Sequence, residues 1–175
     1  MYALAKKYPA QAGIVGGTGE TITNLTAGLL IVSVLMGLAF GLYKWAYATS
    51  EWNALDGLVG SVRRTYQGEI YPTAGIAQAL IGNVEVGNLR TTGGNTILNT
   101  YGSAYAIVGN TGSFTITDSG IPAADCAKIL KQVPSAGYIQ VTVNGGTAIT
   151  TFPIGIAVAQ GACTATANVI AVTAQ

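Results

Sequence analysis

Apolar positions follow two different rules along this chain. Between Glu20 and Lys44 no residue is charged, and a helix over those 23 positions, 21 to 43, would be roughly 34 Å long, enough to cross the apolar core of a bilayer. The run Leu25 to Tyr43 contains Leu29, Leu30, Ile31, Val32, Val34, Leu35, Met36, Leu38 and Phe40, interleaved with Ala27, Gly28, Ser33, Gly37, Ala39 and Gly41. Small residues at such places let helices approach closely where no water drives them together. From Trp45 onward the pattern becomes one-sided. Trp52, Leu55, Val59, Val62 and Tyr66 recur at spacings of 3, 4, 3 and 4, while Glu51, Asp56, Arg63 and Arg64 are read as lying elsewhere on the wheel. The pattern predicts one helix over about 18–67, apolar over 25–43 and amphipathic over 44–67, whose stripe packs on whatever follows. A cleaved secretory signal has a shorter apolar core of about 7 to 15 residues, so residues 1–17 are read as a leader-like or N-terminal segment and not as that signal.

After Gly68 the periodicity changes to short alternations separated by glycine-rich turns. A short helix is predicted at 74–81. Ala104–Val108 and Ser113–Thr117 read as a hairpin around Gly109, Asn110, Thr111 and Gly112. Pro122 opens a helix to about Gln132, with Asp125 well placed in its first turn. Strands are predicted at 138–143 and 147–152, joined at Asn144, Gly145 and Gly146, and a last one at Asn168–Thr173. The region 68–175 is therefore expected to be an α+β head in which an antiparallel sheet buries one face against the helical stripe.

Composition narrows the chemistry. The 175 residues include 8 Lys plus Arg, 7 Asp plus Glu and no histidine, giving a net charge of +1 with only 9% charged residues. A nearly neutral chain offers no basic face for nucleic acid. Without imidazole there is no Ser-His-Asp or Cys-His arrangement and no ordinary zinc site. A mean hydropathy of +0.45 argues against disorder, and so few charges suit a subunit covered by neighbours or by membrane. The acid pairs close in sequence, Glu51 with Asp56 and Asp118 with Asp125, have no spacing that general acid–base work demands. Gly93-Gly94-Asn95 and Asn144-Gly145-Gly146 lack the strand, glycine spacing and lysine of a phosphate loop and read as turns. No catalytic residue, cofactor or metal is expected.

Cys126 and Cys163 are the two cysteines, 37 positions apart. An isolated pair in a chain with an export-like N-terminus reads as one disulfide. Two buried thiols are the alternative, and the absence of C-x-x-C spacing speaks against a redox pair.

The order of these features resembles the type IV pilins, and the head is similar to the type IVb major pilins of conjugative and enterobacterial thin pili. The resemblance is carried by the long helix from Leu25 to Tyr66, by Ser113-Phe114-Thr115-Ile116-Thr117, and by Ile121-Pro122-Ala123-Ala124-Asp125-Cys126-Ala127-Lys128-Ile129-Leu130. Gln140–Val143, the turn at Asn144-Gly145 and Cys163 fit the same layout. It implies the type IV pilin fold, a long N-terminal helix packed on a C-terminal antiparallel sheet, and a disulfide between Cys126 and Cys163. It also implies a structural subunit, not an enzyme, that polymerises with copies of itself into an extracellular pilus for cell–cell contact, conjugation or adhesion. The subunit would be held in the bacterial inner membrane beforehand and would meet a prepilin peptidase and the inner-membrane assembly machinery. Filament contacts would fall on Glu20, Leu29, Val32, Leu35, Met36 and Phe40. Cleavage in the family follows a glycine, with glutamate usually fifth in the mature chain; a cut after Gly17 makes Glu20 third, and one after Gly16 makes it fourth. A minor pilin or tip adhesin, and a membrane-anchored binding domain, are the other readings.

Overall fold

The computed structural model describes residues 18–175, and within the first helix it describes the side chains of residues 29–39, 42 and those from 46 onward. Gly16 and Gly17, and the side chains of Glu20 and Phe40, lie outside the described residues. The elements in chain order are α1 (Thr18–Thr65), α2 (Ile76–Gly82), β1 (Arg90–Thr92), β2 (Thr96–Leu98), β3 (Ala106–Asn110), β4 (Ser113–Pro122), α3 (Ala123–Gln132), β5 (Tyr138–Val143), α4 (Ile156–Ala162) and β6 (Ala167–Ala174). The chain divides into two compact units, Met1–Gly41 and Leu42–Gln175.

In the first unit, α1 carries apolar side chains on every described turn, because nothing in its sequence sets one face apart from another. In the second unit the same helix is strongly one-sided. Ala48, Trp52, Leu55, Leu58, Val59 and Val62 are buried, the i, i+3, i+4, i+7 spacing of a core-facing stripe. Arg63 and Arg64 occupy the last turn, where cations complement the carbonyl end of the helix. Gly68, just beyond, takes a left-handed φ of 81° that any other residue would adopt at a cost. One correction falls on this stripe: Glu51, expected on the outer side, is fully buried. Position 51 stands four residues before Leu55 and seven before Leu58, so the helical period places it on the inner face.

The stripe packs with a four-stranded antiparallel sheet of order β3-β4-β6-β5. Alternation along β4 buries Phe114, Ile116 and Asp118, and along β6 it buries Ile170, Val172 and Ala174. The opposite face presents Thr115, Thr117 and Thr173, and the hydroxyls of Thr115 and Thr173 lie 3.0 Å apart across the strands. Between Asp118 and Ile121 the register of β4 against β6 shifts, a bulge in which Gly120 has φ 77°. A Cβ on Gly120 would also run into the Ser103 hydroxyl.

The strand expected at 147–152 is absent. Ile149 alone bridges to Val141, its N–H donating to the Val141 carbonyl (2.7 Å) and its carbonyl accepting from the Val141 N–H (2.9 Å). Thr147, Ala148, Thr150 and Thr151 are exposed, so extending the pairing would order backbone without burying a face. The hairpin is longer than expected, with Asn110 opposite Ser113 and the turn confined to Thr111-Gly112. Gly109 belongs to β3 because its missing Cβ leaves room for the backbone of Tyr71 and Pro72, whose carbonyl accepts the Gly109 N–H at 3.0 Å. The short helix expected at 74–81 runs Ile76–Gly82 and buries Ile76 and Leu80. Sequence reading missed α4 and the β1–β2 hairpin, which turns at Gly93-Gly94-Asn95.

Candidate functional site

In the first unit the described side chains from Leu29 to Leu38 form an apolar surface without cover. Leu29, Val32, Leu35 and Met36, four of the expected assembly residues, are 63%, 48%, 58% and 69% exposed. Leu30, Ile31, Val34 and Leu38 extend the surface round the helix. Scattered apolar side chains on a surface are ordinary, whereas a continuous patch marks an interaction site. Among the described residues, no helix is long and apolar enough to cross a membrane.

In the second unit the sites follow from where the acids fall. The sequence pairs Glu51 with Asp56 and Asp118 with Asp125, but the fold pairs them otherwise. Asp56 accepts a hydrogen bond from the Tyr138 hydroxyl at 2.6 Å. Asp125, near the start of α3, binds the Lys128 ammonium one turn on (3.3 Å) and accepts from the Tyr101 hydroxyl (3.2 Å). Glu51 on α1 and Asp118 on β4 are brought together, both fully buried. Glu51 accepts from the Thr100 N–H at 2.8 Å, from the Thr100 hydroxyl and from the Tyr105 hydroxyl. Asp118 Oδ1 accepts from the Asn99 amide at 2.6 Å, and Asn99 Oδ1 in turn accepts the Ser103 N–H at 2.7 Å. Asp118 Oδ2 is buried with no donor directed at it. A buried carboxyl oxygen without a donor, with the Glu51 carboxylate acting on the same group, favours the protonated form of Asp118. Burial, reinforced by the Glu51 charge, pushes the Asp118 carboxyl up to about 8. The same burial and the neighbouring carboxylates push the phenols of Tyr105 and Tyr101 above their ordinary range.

Sequence reading placed Glu51 off the stripe and left Asp118 unplaced; the signal that could have found them is the helical period four residues before Leu55, and the alternation Phe114, Ile116, Asp118. The arrangement can hold a proton and fix a helix to a sheet. Among the described residues, no group of three or more His, Cys, Asp or Glu could hold a metal ion.

Cys126, buried on α3, is joined to Cys163, which follows α4, by a disulfide. An uncharged cleft of about 690 Å³ lies beside the C-terminal part of β5 and α4, lined by Thr147, Ile149, Thr151, Ile154, Val158 and Thr164 among others.

No curated protein sequence matches the chain. Among solved structures, the chain is similar to the type IVb pilin of Salmonella typhi, at 18% identity and a TM-score of 0.56, with 73% of this chain and 96% of that one covered. It is similar also to TcpA, a type IV pilin from the El Tor biotype of Vibrio cholerae, at 16% identity and a TM-score of 0.52, covering 74% and 99%. Likeness at this identity establishes the fold, an α+β pilin head in which a helix packs on an antiparallel sheet. The family model described as PilS N terminal matches residues 51–175, from Glu51 through the whole sheet. On that match the chain belongs to the PilS family of type IVb pilins, structural subunits and not enzymes.

Proposed function

We propose that this pilin is a major subunit, which polymerises through the apolar part of α1 into an extracellular type IVb pilus used for cell–cell contact, conjugation or adhesion. The observation that carries the reading is the uncovered apolar surface from Leu29 to Leu38. Covering on the order of several hundred Å² of it, at roughly 25 cal/mol per Å², offsets much of the ordering cost of association. Copies of the same helix are the nearest apolar partner outside a membrane. A contact between two different faces of identical subunits propagates as an open helical filament when its rotation does not close into a ring. Before assembly the uncharged run 21–43 would lie in the bacterial inner membrane, and Gly16 or Gly17 would be where a prepilin peptidase cuts. The inner-membrane assembly machinery would then draw the subunit out. Glu20, if buried among the apolar helices of the filament, would need a cationic partner such as a neighbour's N-terminal amine.

The test is negative-stain microscopy of the sheared surface fraction, with N-terminal sequencing of the subunit recovered from it. Filaments composed of this chain, beginning shortly before Glu20, are expected. A surface fraction without filaments, and a chain recovered from detergent only as monomer, would overturn the reading in favour of a membrane-anchored binding domain.

A further inference from the structure

Glu51 and Asp118 lie on different elements, both out of reach of water, and among the described residues neither forms an ion pair with a lysine or arginine. Two adjacent buried carboxylates without a cation would be strongly unfavourable. The donors present favour Glu51 as the carboxylate. Glu51 receives three, from Thr100 and Tyr105, whereas Asp118 receives the Asn99 amide on Oδ1, with the Ser119 backbone N–H the smallest influence on it, and Oδ2 has no hydrogen-bond partner. From this geometry we propose that Glu51 and Asp118 share one proton and form a pH-sensitive clasp, which holds α1 against β4 and the 99–105 loop and loosens as the proton is lost.

The clasp joins three parts of the head. Glu51 belongs to α1 and Asp118 to β4 just before its bulge, while Asn99, Thr100 and Tyr105 belong to the segment between β2 and β3. The other titratable groups around the pair are Tyr101 and Tyr105 from that segment and Asp125 from α3, which is bound to its own cation, Lys128. All of these except Lys128 are neutral or negative at neutral pH, so they favour retention of the proton and none replaces it.

The sign follows from linkage. In the closed clasp Asp118 keeps its proton up to about pH 8. Once the clasp opens to water, Asp118 ionises at the ordinary carboxylate value near 4. Between those limits the closed state binds one proton more than the open one, so opening becomes easier with each rise in pH and levels off above about 8.

Carbon-13 NMR and amide hydrogen exchange on the full chain in detergent micelles test this. The Asp118 carboxyl carbon should titrate near pH 8. After correction for intrinsic rates, the amides of Thr100, Ser103 and Tyr105 should lose protection by more than tenfold between pH 5 and pH 8, as one proton per opening requires. Those of the β4–β6 ladder should hold. Asp118→Asn keeps an amide donor toward Glu51 and an acceptor for Asn99, so the pH dependence should vanish in it. Titration of Asp118 in the ordinary aspartate range overturns the proposal, and this measurement needs no variant. So does an equal loss of protection in Asp118→Asn, or a loss spread evenly over the whole sheet.

Discussion

Tyr138 shows how one side chain fastens the amphipathic half of α1. Its ring packs 5.8 Å from that of Trp52, its hydroxyl donates to Asp56, and the Arg63 guanidinium lies over its face at 5.8 Å. Burial first, and then the hydrogen bond to Asp56, push its phenol above the ordinary tyrosine value, and Arg63 opposes this only in part. Tyr101 and Tyr105 move in the same direction. A phenol whose folded value is raised contributes stability that is complete below the ordinary tyrosine value of about 10 and is lost as the pH climbs above it. A spectrophotometric titration should therefore show these three tyrosines ionising only together with unfolding; early, reversible ionisation of all the tyrosines near pH 10 would contradict it. Gly109 makes a different demand. Gly109→Ala drives a methyl group into the backbone of Tyr71 and Pro72, and it is expected to lower stability by about 1–3 kcal/mol in urea denaturation, the usual cost of overpacking. Neither effect is legible in sequence, since both depend on residues far apart in the chain that only the fold brings together. Glu51 and Asp118 were half legible, each seen as an acid and neither as the other's partner.

Among the elements, local punctuation located α3 and a turn, although the strands on either side of that turn were missed. Pro122 and Asp125 mark the start of α3, and Gly93-Gly94-Asn95 marks a turn. The element α4 has no such mark. Its N-cap is Gly155 without a side-chain cap, it contains Gly161, and Ala159 is its buried residue. Its position depends on neighbours, through packing beside α3 and through the disulfide between Cys126 and Cys163. With the cysteines 37 positions apart, the chain-entropy account gives the crosslink about 3–4 kcal/mol. Replacing both cysteines by serine should lower stability by that order. In hydrogen exchange, α4 should lose protection before β4 and β6 do; unchanged protection over Ile156–Ala162 would show that packing alone holds it. The strand expected at 147–152 failed for the converse reason, because β-branched composition signals a strand only where alternation supplies a face to bury.

For the whole molecule, the decisive features are where charge is missing and how the sheet is ordered. No charged side chain follows Lys131, and none lies between Glu20 and Lys44. Leu35→Lys places an unpaired cation on the apolar surface of α1 and is expected to abolish filaments while circular dichroism of the head stays unchanged; abundant filaments from that variant would exclude helix packing as the basis of assembly. Glu20→Ala should reduce pilus yield severely and leave the head folded, and a normal yield would remove Glu20 from the assembly contact. The α+β class and the helix-on-sheet layout were readable because both rest on hydrophobic period. The strand order was not, since β6 pairs with β4 on one side and β5 on the other. That placement has a consequence in time. As the chain is synthesised, β3 and β4 can form their hairpin early, but β5 has no neighbour in the sheet until Ala167–Ala174 emerges to fill the gap. The head is thus obliged to wait for β6, and a nascent chain stopped short of it would leave β4 and β5 each with an unpaired edge facing the gap.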